Sequence, residues 1–275
     1  MNIKTLFIIL VAVQLGPALH SRAGTYDVAA DFSTNANPNG VWSYGYATTL
    51  GGSLILYTNN SYSTASVIGW WQDIYLGAPG LFYNTTDHAT TAGDGTPNLA
   101  PHQACFHPGP NNEYCIYRFT APAAGNYQLQ AAFVGADIVG TSSDVHVLVN
   151  DSPIFDGLVN GFGPGTGPSF NTNLMLQAND RVDFAVGYGG NNFFYDSTGI
   201  QATLTSSPEL SVQFVSAGQA RFSWPTNFSG FTLESATNLA AATWITVTNA
   251  QITLEQQFTV TVDASLPQQF FRLHK

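Results

Sequence analysis

The sequence predicts an all-β protein in which a jelly-roll-like β-sandwich is followed by a small immunoglobulin- or fibronectin-III-like β-sandwich. Three observations predict this fold class. No stretch between residues 25 and 205 carries the apolar stripe of an amphipathic helix. Short runs rich in Val, Ile, Phe, Tyr and Thr are separated by clusters of Gly, Asn, Asp and Pro. After Ser206-Ser-Pro208, short apolar runs follow one another closely up to the end of the chain. We therefore expect domains at 24–206 and 207–275.

Residues 1–23 have the composition of a secretory signal peptide. A basic start ending in Lys4 precedes a mostly apolar run, and Ser21 and Ala23 supply small residues at a cleavage site. The alternative is a membrane anchor, but Gln14 and Pro17 interrupt a run that is already short for a bilayer span. No later stretch is apolar enough to cross a membrane. The sequence thus predicts a secreted or extracytoplasmic protein with no membrane span after cleavage.

The charge of the chain excludes some partners. Loss of Lys4 and Arg22 with the signal peptide changes the formal net charge from -10 to -12. Binding of nucleic acid needs basic side chains that neutralise phosphates, so we expect no nucleic acid partner. An acidic chain equally disfavours anionic lipids and acidic polysaccharides. A neutral partner or a cation fits better.

The clearest strand pattern follows a turn at 121–125. Tyr127, Leu129 and Phe133 alternate with Gln128 and Gln130, which is the period of a strand with one apolar and one polar face. The predicted strands of the first sandwich are 41–48, 54–57, 66–70, 116–120, the run from Asn126, 144–150, 173–177, 182–186 and 199–205. Those of the second are 210–215, 220–224, 230–234, 244–248, 257–262 and 269–273. The polar segment 84–101 is expected to be an irregular excursion.

The two cysteines predict one disulfide. Cys105 and Cys115 enclose a loop with two prolines, and exported chains are oxidised. The alternative is a zinc site that adds His102 and His107, but the spacing lacks the close ligand pairs of zinc sites.

Several motifs resemble known exported proteins. The runs 122–127, 144–150 and 179–184, together with Asn37-Pro-Asn-Gly-Val-Trp-Ser-Tyr-Gly45, resemble a secreted bacterial β-sandwich domain that is often found in PEP-CTERM-type exported proteins and looks like carbohydrate-binding modules. Residues 207–275, with Phe222-Ser-Trp-Pro225 and Phe270-Phe-Arg-Leu273, resemble a fibronectin-III-like C-terminal module of verrucomicrobial exported proteins. The resemblance implies two sandwiches, a carbohydrate ligand and, in such jelly-roll modules, an occasional structural calcium ion.

Candidate ligand-binding residues are aromatic rings and neutral amides. Rings stack on the apolar faces of sugars, while Asn, Asp, Gln and His bind the hydroxyls. Trp70 and Trp71 are adjacent, so an extended backbone points at most one of them into the core; the other is covered by a loop or contacts a ligand. Two loops add further candidates, which are Tyr83 and His88 in one and Tyr188, Asn191, Asn192 and Asp196 in the other. The alternative is that these residues only stabilise turns, because Asn and Asp favour turn conformations for backbone reasons.

The sequence does not decide the role of two further groups of residues. The ring stripe Trp42, Tyr44 and Tyr46 fills the core or forms a ring platform, whereas Trp224 and Trp244 are expected in the core. A calcium ion needs several close oxygen ligands. The available carboxylates, among which no ordered motif selects, are Asp27, Asp31, Asp137, Asp144, Asp183 and Asp196.

The sequence favours a non-catalytic protein that binds carbohydrate, such as a neutral polysaccharide or glycan. The alternatives are a structural or adhesive cell-surface protein and a jelly-roll polysaccharide-degrading enzyme. Hydrolysis would need two facing carboxylates, and no spacing in the sequence singles out such a pair. We therefore expect no catalytic residue, and no cofactor apart from the structural calcium ion that the resemblance implies.

Overall fold

The computed structural model describes residues 24–60, 64–72, 78–216, 218–226, 228, 230–239, 243–255, 257–264 and 268–274. The predicted signal peptide lies outside these residues. The described residues form strands, turns and loops, and none of them lies in a helix. Within the same ranges no helix has the length and hydropathy of a bilayer span. The predicted all-β class is thereby confirmed.

The strands up to Ser207 are β1 (Thr25–Asp27), β2 (Trp42–Ala47), β3 (Ile55–Leu56), β4 (Val67–Trp71), β5 (Gly80–Asn84), β6 (Thr90–Thr91), β7 (Asn98–Leu99), β8 (Ala104–His107), β9 (Tyr114–Thr120), β10 (Gly125–Gly135), β11 (Asp144–Val149), β12 (Ser152–Leu158), β13 (Ser169–Leu176), β14 (Arg181–Gly187) and β15 (Thr198–Ser207). The later strands are β16 (Ser211–Ser216), β17 (Gln219–Pro225), β18 (Thr232–Ala236), β19 (Ile245–Thr246), β20 (Gln251–Leu254), β21 (Gln257–Asp263) and β22 (Phe270–His274).

Two antiparallel sheets form the larger sandwich. The front sheet has the order β13-β10-β15-β8-β5-β4, with β1 paired to β15. The back sheet has the order β12-β11-β14-β9-β2-β3. One continuous apolar core receives side chains from both sheets. Trp42 and Tyr44 are buried in this core and Tyr46 packs against it, so the ring stripe of β2 belongs to the core.

Tyr117 lies at the centre of that core. Its ring packs edge-on against Phe32, Tyr44 and Phe106, with centroid distances of 6.0, 5.9 and 4.9 Å. Its hydroxyl donates a hydrogen bond to the carbonyl oxygen of Cys105 in the front sheet at 3.2 Å. Tyr117 itself belongs to β9 of the back sheet. The residue therefore joins the two sheets through both apolar contacts and a satisfied polar group.

The segment 84–102 leaves the front sheet and returns over its outer face. It contains the small hairpin β6-β7 and covers a second apolar cluster that includes Trp71, Phe82 and Leu99. Asn84 fixes the segment, because its side-chain amide donates to the carbonyl oxygens of His88 and Ala100 at 2.8 Å each. The predicted excursion is thus a cover over β4, β5 and β8.

The C-terminal residues form a second, smaller sandwich. A four-stranded sheet, β16-β17-β21-β20, and a three-stranded sheet, β19-β18-β22, share one apolar core. Trp224 is buried there as predicted, whereas Trp244 is half-buried outside this core beneath the guanidinium of Arg272, 4.3 Å from the ring centroid. β15 ends at Ser207 and β16 begins at Ser211, next to the predicted boundary. The division into domains stays a prediction.

The predicted disulfide between Cys105 and Cys115 is absent, and both thiols are free and buried. The reason is the alternation of β8. Ala104 and Phe106 face the core between the sheets, so Cys105 points to the outer face and packs with the cluster under segment 84–102. Cys115 lies in the core between the sheets, where its thiol donates to the carbonyl oxygen of His107 at 2.7 Å. Burial raises the pKa of the Cys115 thiol to about 12.

We expect reducing agents to leave the stability of the folded protein unchanged. Because both thiols are free, the melting temperature should be the same with and without dithiothreitol. Thiol titration of the unreduced protein should find both cysteines in denaturant and neither in the native state, where burial suppresses the thiolate. A Cys105→Ala variant is the control and should lose one thiol equivalent. A lower melting temperature in reductant would contradict the structure.

Candidate functional site

The part of the front sheet that segment 84–102 leaves uncovered carries neutral polar side chains. In β10, Tyr127 and Leu129 are buried in the core, whereas Gln128 and Gln130 are exposed on the outer face. Gln130 lies opposite Asn171 of β13 on one side and Thr203 of β15 on the other. The adjacent row consists of Ser169, Ala132 and Gln201. Three neighbouring strands therefore present amides and hydroxyls side by side, and we call this surface the floor.

A wall of rings borders the floor. The hydroxyl of Tyr83 lies 3.2 Å from Nδ1 of His102, and the two rings are stacked with a centroid distance of 6.4 Å. His102 adopts a left-handed backbone with φ of 52°, a conformation that often marks functional positions. Burial, followed by the charge of Asp27, raises the pKa of Tyr83. Tyr83 therefore stays a neutral phenol that can donate and accept hydrogen bonds.

Floor and wall enclose a groove of about 660 Å³, which is the size of small-ligand sites. Asp27 and the following Ala29 and Ala30 form the remaining side. Oδ1 of Asp27 accepts hydrogen bonds from the backbone N–H groups of Ala29 and Ala30 at 2.8 and 2.9 Å. Among the described residues that line the groove, Asp27 is the one carboxylate. The chemistry of the groove is therefore hydrogen bonding by neutral groups beside one anion.

Of the eight predicted ligand-binding residues, Tyr83 lies in this groove. Trp70 is buried between the sheets, where its Nε1 donates to the carbonyl oxygen of Ser33 at 2.8 Å. Trp71 is buried on the other face and stacks on Phe82 under segment 84–102. Each indole is only 4% exposed, so neither offers a face to a ligand. His88 is exposed on segment 84–102, where its Nδ1 lies 3.1 Å from Asp87.

The loop candidates meet at a second, smaller depression of about 460 Å³. Asn191 and Asn192 line it together with Gly140, Ser142, Phe194 and Tyr195. The side-chain amide of Asn191 donates to Oγ of Ser142 at 2.8 Å, which joins the loop after β14 to the loop before β11. Phe194 is 61% exposed at its edge. Tyr188 is half-buried at the start of the loop. Asn191 and Asn192 thus lie together in this depression, and their role in ligand binding stays a prediction.

Asp196 lies buried beneath this depression. Its Oδ1 accepts hydrogen bonds from the backbone N–H and the hydroxyl of Ser142 at 2.8 and 2.9 Å. Its Oδ2 has no hydrogen-bond partner among the described residues. Burial raises the pKa of Asp196 from 3.8 to about 6, and the charges of Asp137 and Asp144 add to the rise, although the hydrogen bonds from Ser142 oppose it. Asp196 thus organises the loops and is not open to solvent.

No group of three or more His, Cys, Asp or Glu side chains among the described residues is arranged to hold a metal ion. The candidate calcium ligands are spread over the sandwich and bind protein donors. Asp183 forms a bidentate pair with Arg118, with both N–O distances at 2.7 Å. Asp31 accepts hydrogen bonds from Nε1 of Trp42 and from the backbone N–H of Asp27. A structural calcium ion stays a prediction.

The floor residues were missed by sequence reasoning. Their signal is present, because Gln128 and Gln130 alternate with buried residues in a clear strand. The alternation predicts on which face of the strand these residues lie, but it does not predict which strands pair with β10. The pairing of β10 with β13 and β15 is long-range, and it alone places Asn171 and Thr203 beside Gln130.

No protein-family model matches the chain, and a comparison with curated proteins finds no match. Solved structures give weak likenesses. A CBM51 module from Clostridium perfringens GH95 in complex with methyl-galactose is 14% identical with a TM-score of 0.31, and the match covers 55% of this chain and 95% of that chain. A family 35 carbohydrate-binding module from Clostridium thermocellum is 14% identical with a TM-score of 0.27, covering 43% and 87%.

A third solved structure, of a CBM4, is 13% identical with a TM-score of 0.28, and the match covers 47% of this chain and 88% of that chain. At identities and TM-scores this low, function has to be argued from the geometry of the site. The resemblance to PEP-CTERM-type and verrucomicrobial exported proteins stays a prediction.

We expect Asp196→Asn to change the pH dependence of stability. The folded pKa of about 6 lies above the ordinary value of 3.8, so the folded chain holds this proton more tightly than the unfolded chain does. The stabilisation is present below 3.8 and is lost as the pH rises to about 6. Relative to the variant, the wild type should therefore lose unfolding free energy across this window. Urea unfolding at a series of pH values measures it.

The matched control is Glu209→Gln, which removes a carboxylate from an exposed residue outside the loops. Its difference from the wild type should stay nearly constant across the same window. A difference for Asp196→Asn that does not change with pH would show that Asp196 is not a shifted acid.

Proposed function

We propose that the protein is a non-catalytic, extracytoplasmic binder of neutral glycans and that the groove over β13, β10 and β15 is its binding site. The observation that carries the proposal is the continuous floor of amides and hydroxyls beside a ring wall. Side-chain amides both donate and accept hydrogen bonds, as sugar hydroxyls do. A neutral floor of this kind matches a neutral, hydroxyl-rich ligand.

The wall supports the same ligand class. Tyr83 is half-buried and lines the groove, and its ring is supported from the core side by Phe32 at a centroid distance of 5.7 Å. An aromatic ring contributes apolar contact to the C–H face of a sugar, while the phenol and His102 bind hydroxyls at its edge. The negative charge of the chain and the carboxylate of Asp27 disfavour acidic sugars. Ring and amides together favour a neutral sugar over an ionic ligand.

The groove does not favour catalysis. Glycoside hydrolysis needs two carboxyl groups on opposite sides of the scissile bond. The described groove residues offer Asp27 alone, and one oxygen of its carboxylate already accepts two backbone hydrogen bonds. We therefore propose binding without turnover. The predicted signal peptide is the support for an extracytoplasmic location.

A structural or adhesive role remains as a second candidate because of strand β16. This strand lies at the edge of its sheet and is exposed along its whole length. Phe214 is 76% exposed there. An exposed apolar edge strand can pair with another chain, which would suit adhesion. The groove is the more specific of the two features, because it combines shape with a matching set of polar groups.

We expect the double variant Gln130→Ala/Asn171→Ala to lose glycan binding. The protein is first screened by affinity electrophoresis in gels containing glucomannan, galactomannan, xyloglucan, mixed-linkage β-glucan, pullulan or dextran. Each lost hydrogen bond contributes about 1 kcal/mol, so each change should weaken binding roughly fivefold. Gln213→Ala, at an exposed glutamine of β16, is the control and should migrate like the wild type. Absence of retardation in every gel would reject the function.

Three further variants locate the site. Tyr83→Ala should abolish retardation, whereas Tyr83→Phe should retain part of it because the ring remains. Phe194→Ala alters the smaller depression and should leave retardation unchanged if the groove is the site. Loss of retardation in Phe194→Ala with normal binding by Tyr83→Ala would move the site to the loops.

A further inference from the structure

We infer that the groove recognises the end of an unbranched neutral glycan chain and that the units behind this end lie along the floor. The inference rests on the proposed function and adds the part of the polymer that is bound. Two features carry it. The floor continues far beyond the groove in one direction, and the packed side chains of Gln103 and Val134 end it in the other.

The open direction follows β10 toward its N-terminus. Beyond Gln130, the next row places Gln128 between Asn173 and Thr205, and the following row contains Asn126, Met175 and Ser207. All six side chains are exposed. From Ala132 to Asn126 the floor is about 20 Å long, given the rise per residue of an antiparallel strand. A surface of this length can contact several sugar units in a row.

The chemistry of the open part matches that of the groove. Among its six side chains, five are amides or hydroxyls and none is charged. Met175 supplies the exception as an exposed, flexible apolar group, which suits the C–H face of a sugar. The same kind of ligand is therefore favoured along the whole floor.

The other end of the floor is closed. In the row after Ala132, Val134 lies opposite Gly199. The side chains of Gln103 and Val134 lie directly over Gly199, so that a Cβ there would have to displace them. Oε1 of Gln103 accepts a hydrogen bond from the backbone N–H of Ala100 at 2.9 Å, which ties the side chain to segment 84–102.

A chain lying on the floor therefore cannot continue past this end. It enters from the row of Asn126 and Ser207 and stops near Tyr83, His102 and Gln103. The interior of a long polymer would have to bend away from the sheet at this point and lose contact with the rings. The closed end thus favours a terminal sugar unit in the groove.

The test counts binding sites on a polymer before and after it is cut. The polysaccharide that retards the protein most, from glucomannan, mixed-linkage β-glucan or pullulan, is shortened by limited acid hydrolysis. Intact and shortened samples are compared by isothermal titration calorimetry at equal mass concentration. Recognition of chain ends predicts that binding equivalents per gram rise in proportion to the number of new ends. Recognition of chain interiors predicts an unchanged capacity, which would overturn the inference.

The outcome separates the inference from the proposed function. Binding with unchanged capacity leaves glycan binding intact and rejects only chain-end recognition, whereas no binding to any of the polymers rejects the proposed function itself. The double variant Gln128→Ala/Asn173→Ala tests the open floor. It should lose the gain in affinity that longer oligosaccharides show over the disaccharide and keep the affinity for the disaccharide, with Gln213→Ala as control. Equal losses for both lengths would contradict an extended site.

Discussion

The structure depends on the layer of aromatic rings that packs between the front and back sheets. Tyr117 contacts rings from both sides of this layer, and its hydroxyl is satisfied by a carbonyl oxygen of the opposite sheet. A buried phenol without that partner would oppose folding. Because the layer needs every second residue of each strand to point inward, it also decides which residues point outward. The core and the binding surface are therefore set by the same alternation.

This coupling is strongest in β10. A shift of its register by one residue would place Gln128 and Gln130 in the core and Tyr127 and Leu129 in water. Burial of unpaired amides and exposure of large apolar side chains would both oppose such a shift. The floor needs no special loop to hold it, because the pleat of three paired strands fixes the spacing of its side chains. Segment 84–102 then limits how much of the sheet face is open.

Sequence reasoning predicted the elements with clear alternation, such as β2, β10, β11 and β14, and it missed β5 and β8. The sequences of these two strands are nearly continuous apolar runs because both of their faces are covered, so period two is weak in them. The cysteine prediction was wrong because it rested on spacing along the chain alone. Spacing along the chain suggested a closed loop, but the face of the sheet on which Cys105 lies separates it from Cys115. The face of the sheet on which a residue lies is known only once the pairing of the strands is known.

The composition of the floor limits how tightly the groove can hold a single sugar. Each neutral hydrogen bond exchanges with water and contributes about 0.5–1.5 kcal/mol, and immobilising any ligand costs several kcal/mol. Asp27, opposite Thr203 in the row of Gln130, can contribute a stronger, charge-assisted bond in the groove. Further affinity then has to accumulate row by row toward Asn126. A floor built in this way discriminates by the length and the fit of its ligand, since no single contact is strong enough to dominate.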